Sequence, residues 1–198
     1  MPSPRWPNWP RSSFPHLVAE WSQDAALLAA LDRVGEVLEE AAHADWTSAV
    51  PLLRDASEML VLGRGPTLPI AGEAALKLKE TSSLHAEAFS SAEVAHGPMT
   101  LVKEGDPVLV LAPLDVAHTG LRERLEDFAA RGANVIAAGL PEDLGAARAV
   151  LPFRPDVHPV LGAIAQIQSF YALAEALSLA RGRNPDNPPH LNTVTRTL

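Results

Sequence analysis

Three short runs constrain the fold more than anything else in the chain: "EMLVLG" at 58–63, "PVLVLAP" at 107–113 and "NVIAAG" at 134–139. Apart from the leading Glu58 and Asn134, each is continuously apolar and ends in Gly or Pro, and "AVLPF" at 149–153 is a weaker fourth. Unbroken apolar runs of this length, rather than alternating ones, predict strands covered on both faces. Helix-length stretches separate them, at 67–82, at 116–131 with Gly132 as a stop, and at about 159–181. Strands interleaved with helices require right-handed crossovers, which make a parallel sheet. The expected fold is a three-layer α/β/α sandwich with a mostly parallel, doubly wound sheet, whose ligands lie beyond the carboxyl ends of the strands.

The remaining chain sorts into three segments. Residues 1–16, "MPSPRWPNWPRSSFPH", hold five prolines and two tryptophans and lack the features of a signal peptide; they are expected to form a flexible leader, the alternative being an arm docked through Trp6 and Trp9. Residues 17–56 are a helical lead-in: Leu27, Leu28, Leu31, Val34, Val37 and Leu38 recur at helical spacing as one long or two abutting helices, and Asp45 caps a further turn that Pro51 disturbs. The main domain occupies 57–182, and the Pro- and Asn-rich tail 183–198 lies near the site, with Leu191, Val194 and Leu198 to bury. No apolar run approaches the roughly 20 residues that a bilayer demands. A net charge of −8 and a pI near 5.3, with basic residues scattered singly, argue against a nucleic-acid partner. The lack of cysteine rules out disulfides and thiolate chemistry and fits a reducing compartment, so the expected location is the cytoplasm.

Candidate chemistry lies between 63 and 96. Glu73, Lys77 and Glu80 are spaced i, i+4, i+7, which sets acid, base and acid in one row on a helix. Such a row is equally an exposed ion-pair ladder. Gly63-Arg64-Gly65 ends the first strand, where glycines and a helix N-terminus can face an anion, or can simply make a tight turn. The spacing of neither the Walker loop nor the dinucleotide fingerprint is present. His85 and Glu87 would share one face of an extended segment, and no spacing here matches a metal motif. His96 stands before Gly97-Pro98 at a chain reversal, either as an inert surface group or as one suited to moving protons near neutral pH.

Taken together, "VLGRGPTLPIAGEAALKLKETSSLHAEAFSSAEVAHGPMTLV" at 61–102 and the tail "NPDNPPHLNTVTRT" closely resemble the second sugar-isomerase (SIS) module of the glucosamine-6-phosphate synthase isomerase domain and of double-SIS amino-sugar-phosphate deaminases. The resemblance runs from about residue 20 to the end and implies a flavodoxin-like sheet. It implies Glu80 as the base that moves a proton between C1 and C2 of a ring-opened hexose 6-phosphate, with Lys77 one turn earlier handling the hydroxyl or amino group. It implies His96 as the ring-opening histidine, supplied by the neighbouring subunit of a homodimer. Gly63, Arg64, Gly65, Glu73, Asn192 and Thr193 become substrate-binding candidates. Neither a cofactor nor a metal is expected, since a proton shuttle through an enediol or enolamine needs only a carboxylate.

Two departures shape the expectation. Thr193 stands where the family tail carries the lysine used for imine formation, so isomerisation or deamination is expected rather than amino transfer. The family's first module, with its Ser/Thr-rich phosphate loop, has no counterpart here. The chain is then either half of a split or truncated protein, or a non-catalytic sugar-phosphate-binding or dimerisation module.

Overall fold

The computed structural model describes residues 23–139, 145–154 and 156–188. Two short helices open it, α1 (Ala25–Leu31) and α2 (Val34–Ala42), followed by a 3-10 turn at Thr47–Ala49 and α3 (Val50–Leu53). Then come β1 (Glu58–Gly63), α4 (Thr67–Ser82), β2 (His85–Ser90) and two 3-10 turns, Glu93–His96 and Pro98–Leu101. The chain continues through β3 (Pro107–Leu111), a turn at Val116–His118, α5 (Leu121–Ala130), β4 (Asn134–Ala138), β5 (Ala149–Leu151) and α6 (Pro159–Ala180).

The strands form one parallel sheet in the order β2-β1-β3-β4-β5. From β1 the chain first moves outward to β2 and later to β3 on the other side, which places the reversal of winding between β1 and β3. Alternate strand residues enter two separate cores. Met59, Val61, Leu109, Leu111, Ile136 and Ala138 pack with α4 and α6 on one face. Leu60, Leu62, Val108, Val110, Val135 and Ala137 pack with α5 and the turns after β2 on the other. The expected three layers are therefore present, because both faces of each central strand are apolar and each finds a helix.

Local differences have local causes. β2 reads only as a short extended stretch in sequence, since His85 and Glu87 interrupt it; it forms because the register Glu58↔His85 to Gly63↔Ser90 completes one edge of β1. As an edge strand it can leave those polar residues exposed, where the Glu87 carboxylate discourages further pairing. The helix expected over 116–131 is split by Gly120, whose φ of +79° ends the 3-10 turn and starts α5 at Leu121. Pro51 does not disturb its helix; it sits in the first turn of α3, where a missing amide costs nothing. Asp45 is not the cap, which is Trp46; it stands one residue earlier, where its carboxylate accepts the Thr47 N–H at 2.8 Å and steadies the start of the turn.

The expectation of no stretch long enough for a bilayer needs correcting. α6, at 22 residues, is long and apolar enough by length and composition to cross one. In this fold it is a core helix: Leu161, Phe170, Leu173 and Leu177 are buried, and Ser169 donates to the Ala41 carbonyl at 2.8 Å to hold α2 alongside.

Candidate active site

α4 organises the site, and the turn that launches it is built by packing. A Cβ on Gly63 would lie 2.3 Å from the Thr67 carbonyl oxygen, and Gly65 adopts a φ of +55°. Both positions therefore need glycine whatever else the turn does. Thr67, fully buried, locks the turn: its Oγ1 accepts the Arg64 N–H at 3.0 Å and donates to the Leu111 carbonyl at 2.7 Å. The first helical amides, those of Thr67 and Leu68, are taken up by the carbonyls of Arg64 and Gly65, each at 3.2 Å.

α4 then runs from the edge where the strands finish to the edge where they begin. At about 1.5 Å per residue, the rise from Thr67 to Glu80 is roughly 20 Å. The Gly63-Arg64-Gly65 turn and Glu80 thus lie at opposite ends of one helix.

The acid–base–acid row itself does assemble. Lys77 Nζ is 2.7 Å from Glu80 Oε2 and 3.9 Å from Glu73 Oε1. Tyr171, from α6, donates its hydroxyl to Glu73 Oε1 at 3.3 Å. The three side chains of the row are 33%, 34% and 23% exposed for Glu73, Lys77 and Glu80. The Glu80 hydrogen bond, outweighing partial desolvation and aided by the charges of Glu80 and Glu73, holds the Lys77 ammonium above the ordinary lysine range. Burial, and then the Glu73 charge, raise the Tyr171 phenol. The last turn of α4 is pinned from α6. Arg181 donates to the carbonyls of Ser82, Arg54 and Ala56 at 2.8, 2.7 and 2.8 Å, and Ser178 donates to Thr81 at 2.8 Å.

His96 is exposed on the 3-10 turn Glu93–His96. Its neighbour Val94 is buried in the core on the α5 side, whereas α4 packs on the other face, so the sheet separates His96 from Glu80 within one chain. His85 Nε2 and Glu87 Oε1 are 3.8 Å apart on the outer edge of β2, sharing one face as their spacing predicts. Asn192 and Thr193 lie outside the described residues. The row lines neither of two concavities in the structure. One, of about 780 Å³, lies between α2, α6 and the segment after β5; the other, of about 160 Å³, lies at the start of β1 beside His85 and Glu87.

Two residues in this region carry no functional expectation from sequence, Thr67 and Tyr171. Thr67 had a usable signal, a hydroxyl residue at the start of a helix after a glycine turn. Tyr171 had none, because its partner Glu73 is 98 positions away.

The sequence matches the SIS domain family over residues 52–138. Glutamine–fructose-6-phosphate aminotransferase of Thermococcus kodakarensis is 37% identical over 70% of this chain, and that of Methanothermobacter thermautotrophicus is 32% identical over 83%. The chain spans only 23% and 29% of the length of these two relatives. Among solved structures, a candidate phosphosugar isomerase from Silicibacter pomeroyi DSS-3 is 40% identical with a TM-score of 0.76, over 87% of this chain and 52% of that one. The C-terminal domain of glucosamine-fructose-6-phosphate aminotransferase from Francisella tularensis is 25% identical with a TM-score of 0.63, over 85% and 47%. With its five-stranded parallel sheet, this chain carries an SIS domain, homologous to the C-terminal SIS module of the glutamine–fructose-6-phosphate aminotransferases.

Proposed function

We propose that this SIS module acts on a hexosamine or ketose 6-phosphate, as an isomerase or as an amino-sugar-phosphate deaminase, and does so as a homodimer in the cytoplasm. Glu80 removes the proton from one of C1 and C2 and returns it to the other through an enediol or enolamine. Lys77 is the ammonium that balances charge as the substrate oxygen or nitrogen becomes electron-rich. His96, which the sheet keeps from Glu80 of its own chain, serves the site of a neighbouring copy as the ring-opening acid/base.

The observation that carries this reading is the state of Glu80. One carboxylate oxygen is held by Lys77 at 2.7 Å, while the other has no hydrogen-bond partner among the described residues on a partly exposed helix face. A fixed carboxylate with one oxygen available is what a proton shuttle needs. Thr193 supplies no amine for an imine, which favours isomerisation or deamination over amino transfer. A second reading, a sugar-phosphate-binding or dimerisation module without turnover, is favoured by the row's position on an open face away from the Gly63-Arg64-Gly65 turn.

Incubation with glucosamine 6-phosphate and with fructose 6-phosphate separates the two. Ammonia release or aldose–ketose interconversion that disappears in Glu80→Gln supports the enzyme. Saturable binding of either sugar without turnover supports the second reading, and absence of both discards the pair.

A further inference from the structure

The larger concavity, beside α2, has no part in the chemistry proposed above. Val37, Ala41, Ala44, Pro152, Phe153 and Ala165 make most of its lining, around a volume of about 780 Å³. A neighbouring concavity of about 180 Å³, over Ala30, Val157 and Leu161, shares Val37 and Asp156 with it, so the two form one trough along α2 and the first half of α6. Trp46 steadies the wall, donating its indole N–H to the Pro152 carbonyl at 2.8 Å. The charges of the trough do not suit a sugar phosphate. Arg154 is taken up by Glu40 and Asp156, with Glu36 at 3.5 Å, and along the rim these three carboxylates outnumber the guanidiniums of Arg33 and Arg154.

We infer that the trough is the seat of this chain's own leader, "WPNWPRSSFPH" at 6–16, a segment outside the described residues. Position favours it. The described residues begin at Gln23, and Asp24 Oδ2 lies 3.6 Å from Nε2 of His158, which lines the smaller concavity, so the leader enters at one end of the trough. From His158 to Ser169, on the wall of the larger concavity, α6 rises about 17 Å. The chain from His16 to Gln23, when extended, spans up to roughly 23 Å, enough to bring 6–16 over it. Chemistry favours it as well. Trp6, Trp9 and Phe14 are side chains that each bury about 150–250 Å², and the trough offers them apolar walls. Arg5 and Arg11, in a stretch of 1–16 that holds no acid, meet the excess of carboxylate on the rim. Pro7, Pro10 and Pro15 keep the segment extended beforehand, which lowers the entropy lost on docking. The rival segment is the tail at 189–198, but it follows the far end of α6, about 17 Å past Ser169, and brings no Trp, Tyr or Phe. Docked, the leader covers apolar surface that otherwise faces water and staples the helical lead-in to α6.

None of this depends on the reading of Glu80, and the test uses no turnover. The chain has no cysteine, so Ser12→Cys takes a single nitroxide label in the middle of the leader. In the ¹⁵N-labelled full chain, the oxidised label is expected to remove at least half of the amide signal of Ala41, Ala44 and Ala165, while Glu87, on the opposite edge strand, keeps its own. Adding Trp6→Ser and Trp9→Ser to the same labelled chain should restore the three signals at least twofold, and these changes touch no residue of the core. A label that attenuates none of the three, or attenuates them equally without the two tryptophans, overturns the inference. Equal attenuation in a mixture of spin-labelled ¹⁴N chain with unlabelled ¹⁵N chain also overturns it, by making the leader of a second copy the occupant. Attenuation of the same amides by a label at Thr195→Cys, with none from position 12, overturns it by giving the trough to the tail.

Discussion

The Lys77 ammonium lies 2.7 Å from the Glu80 carboxylate, one turn apart on α4, and is held there while Tyr171 of α6 holds Glu73 on its other side. An acid, a base and an acid in series are common on helices; a phenol from a second helix that fixes one end of the row is not implied by the spacing. The consequence is a carboxylate whose position is set by tertiary packing.

If Glu80 and Lys77 act as a unit, their effects should not add. Glu80→Gln is expected to lower kcat by about 10²–10⁴-fold, the range of a single general acid–base group. Lys77→Met should cost less, and the double variant little more than Glu80→Gln alone, because Lys77 works through a carboxylate that is no longer there. Full additivity in steady-state kinetics on a hexosamine 6-phosphate would refute the coupling.

The raised pKa of Lys77 fixes the sign of an alkaline effect. A base whose folded pKa exceeds its unfolded value stabilises the fold fully below the ordinary value of 10.5, and that contribution is lost as pH rises through the folded value. Tyr171, an acid with a raised pKa, acts in the same direction above its ordinary value of 10.0. The melting-temperature gap between wild type and Lys77→Met should be constant from pH 7 to about 9 and close above about 10.5. A gap that widens with alkali contradicts the assignment.

Gly63 should tolerate no side chain. The Cβ of Gly63→Ala would meet backbone, the Thr67 carbonyl at 2.3 Å, so the turn between β1 and α4 has to open. We expect a loss of about 2–4 kcal/mol in urea unfolding, in the range of the larger single-site effects. Thr67→Val removes a buried hydroxyl bridging Arg64 and Leu111 and should cost about 1–3 kcal/mol.

Ser83 offers the opposite sign. It closes α4 in the left-handed region, at φ +49° and ψ +39°, with its N–H on the Leu78 carbonyl. Glycine adopts this conformation without the Cβ penalty. Ser83→Gly should therefore stabilise the protein, by about 0.5 kcal/mol once the greater freedom of glycine in the unfolded chain is deducted. A fall in the denaturation midpoint would show that the cap is not strained.

Sequence alone determined the layers of this protein. Runs such as Val61–Leu62, Val108–Leu111 and Val135–Ile136 are apolar at every position, and a strand with two apolar faces must lie between two layers of helices. It also set the periodicity that puts Glu73, Lys77 and Glu80 in one row, since 3.6 residues per turn is a local property of the backbone. Tertiary structure decided what long-range contacts decide. β2 became a strand because β1 offered it an open edge. Gly63 and Gly65 were required by the closeness of Thr67 and a positive φ, so their presence is explained by the turn itself. The winding of the sheet sent Glu80 to the edge where strands begin and His96 to the opposite face of the sheet, and it brought Tyr171 to Glu73 across 98 positions. Spacing along a chain fixes which side chains share a helix face; only the packing of the sheet fixes which faces meet.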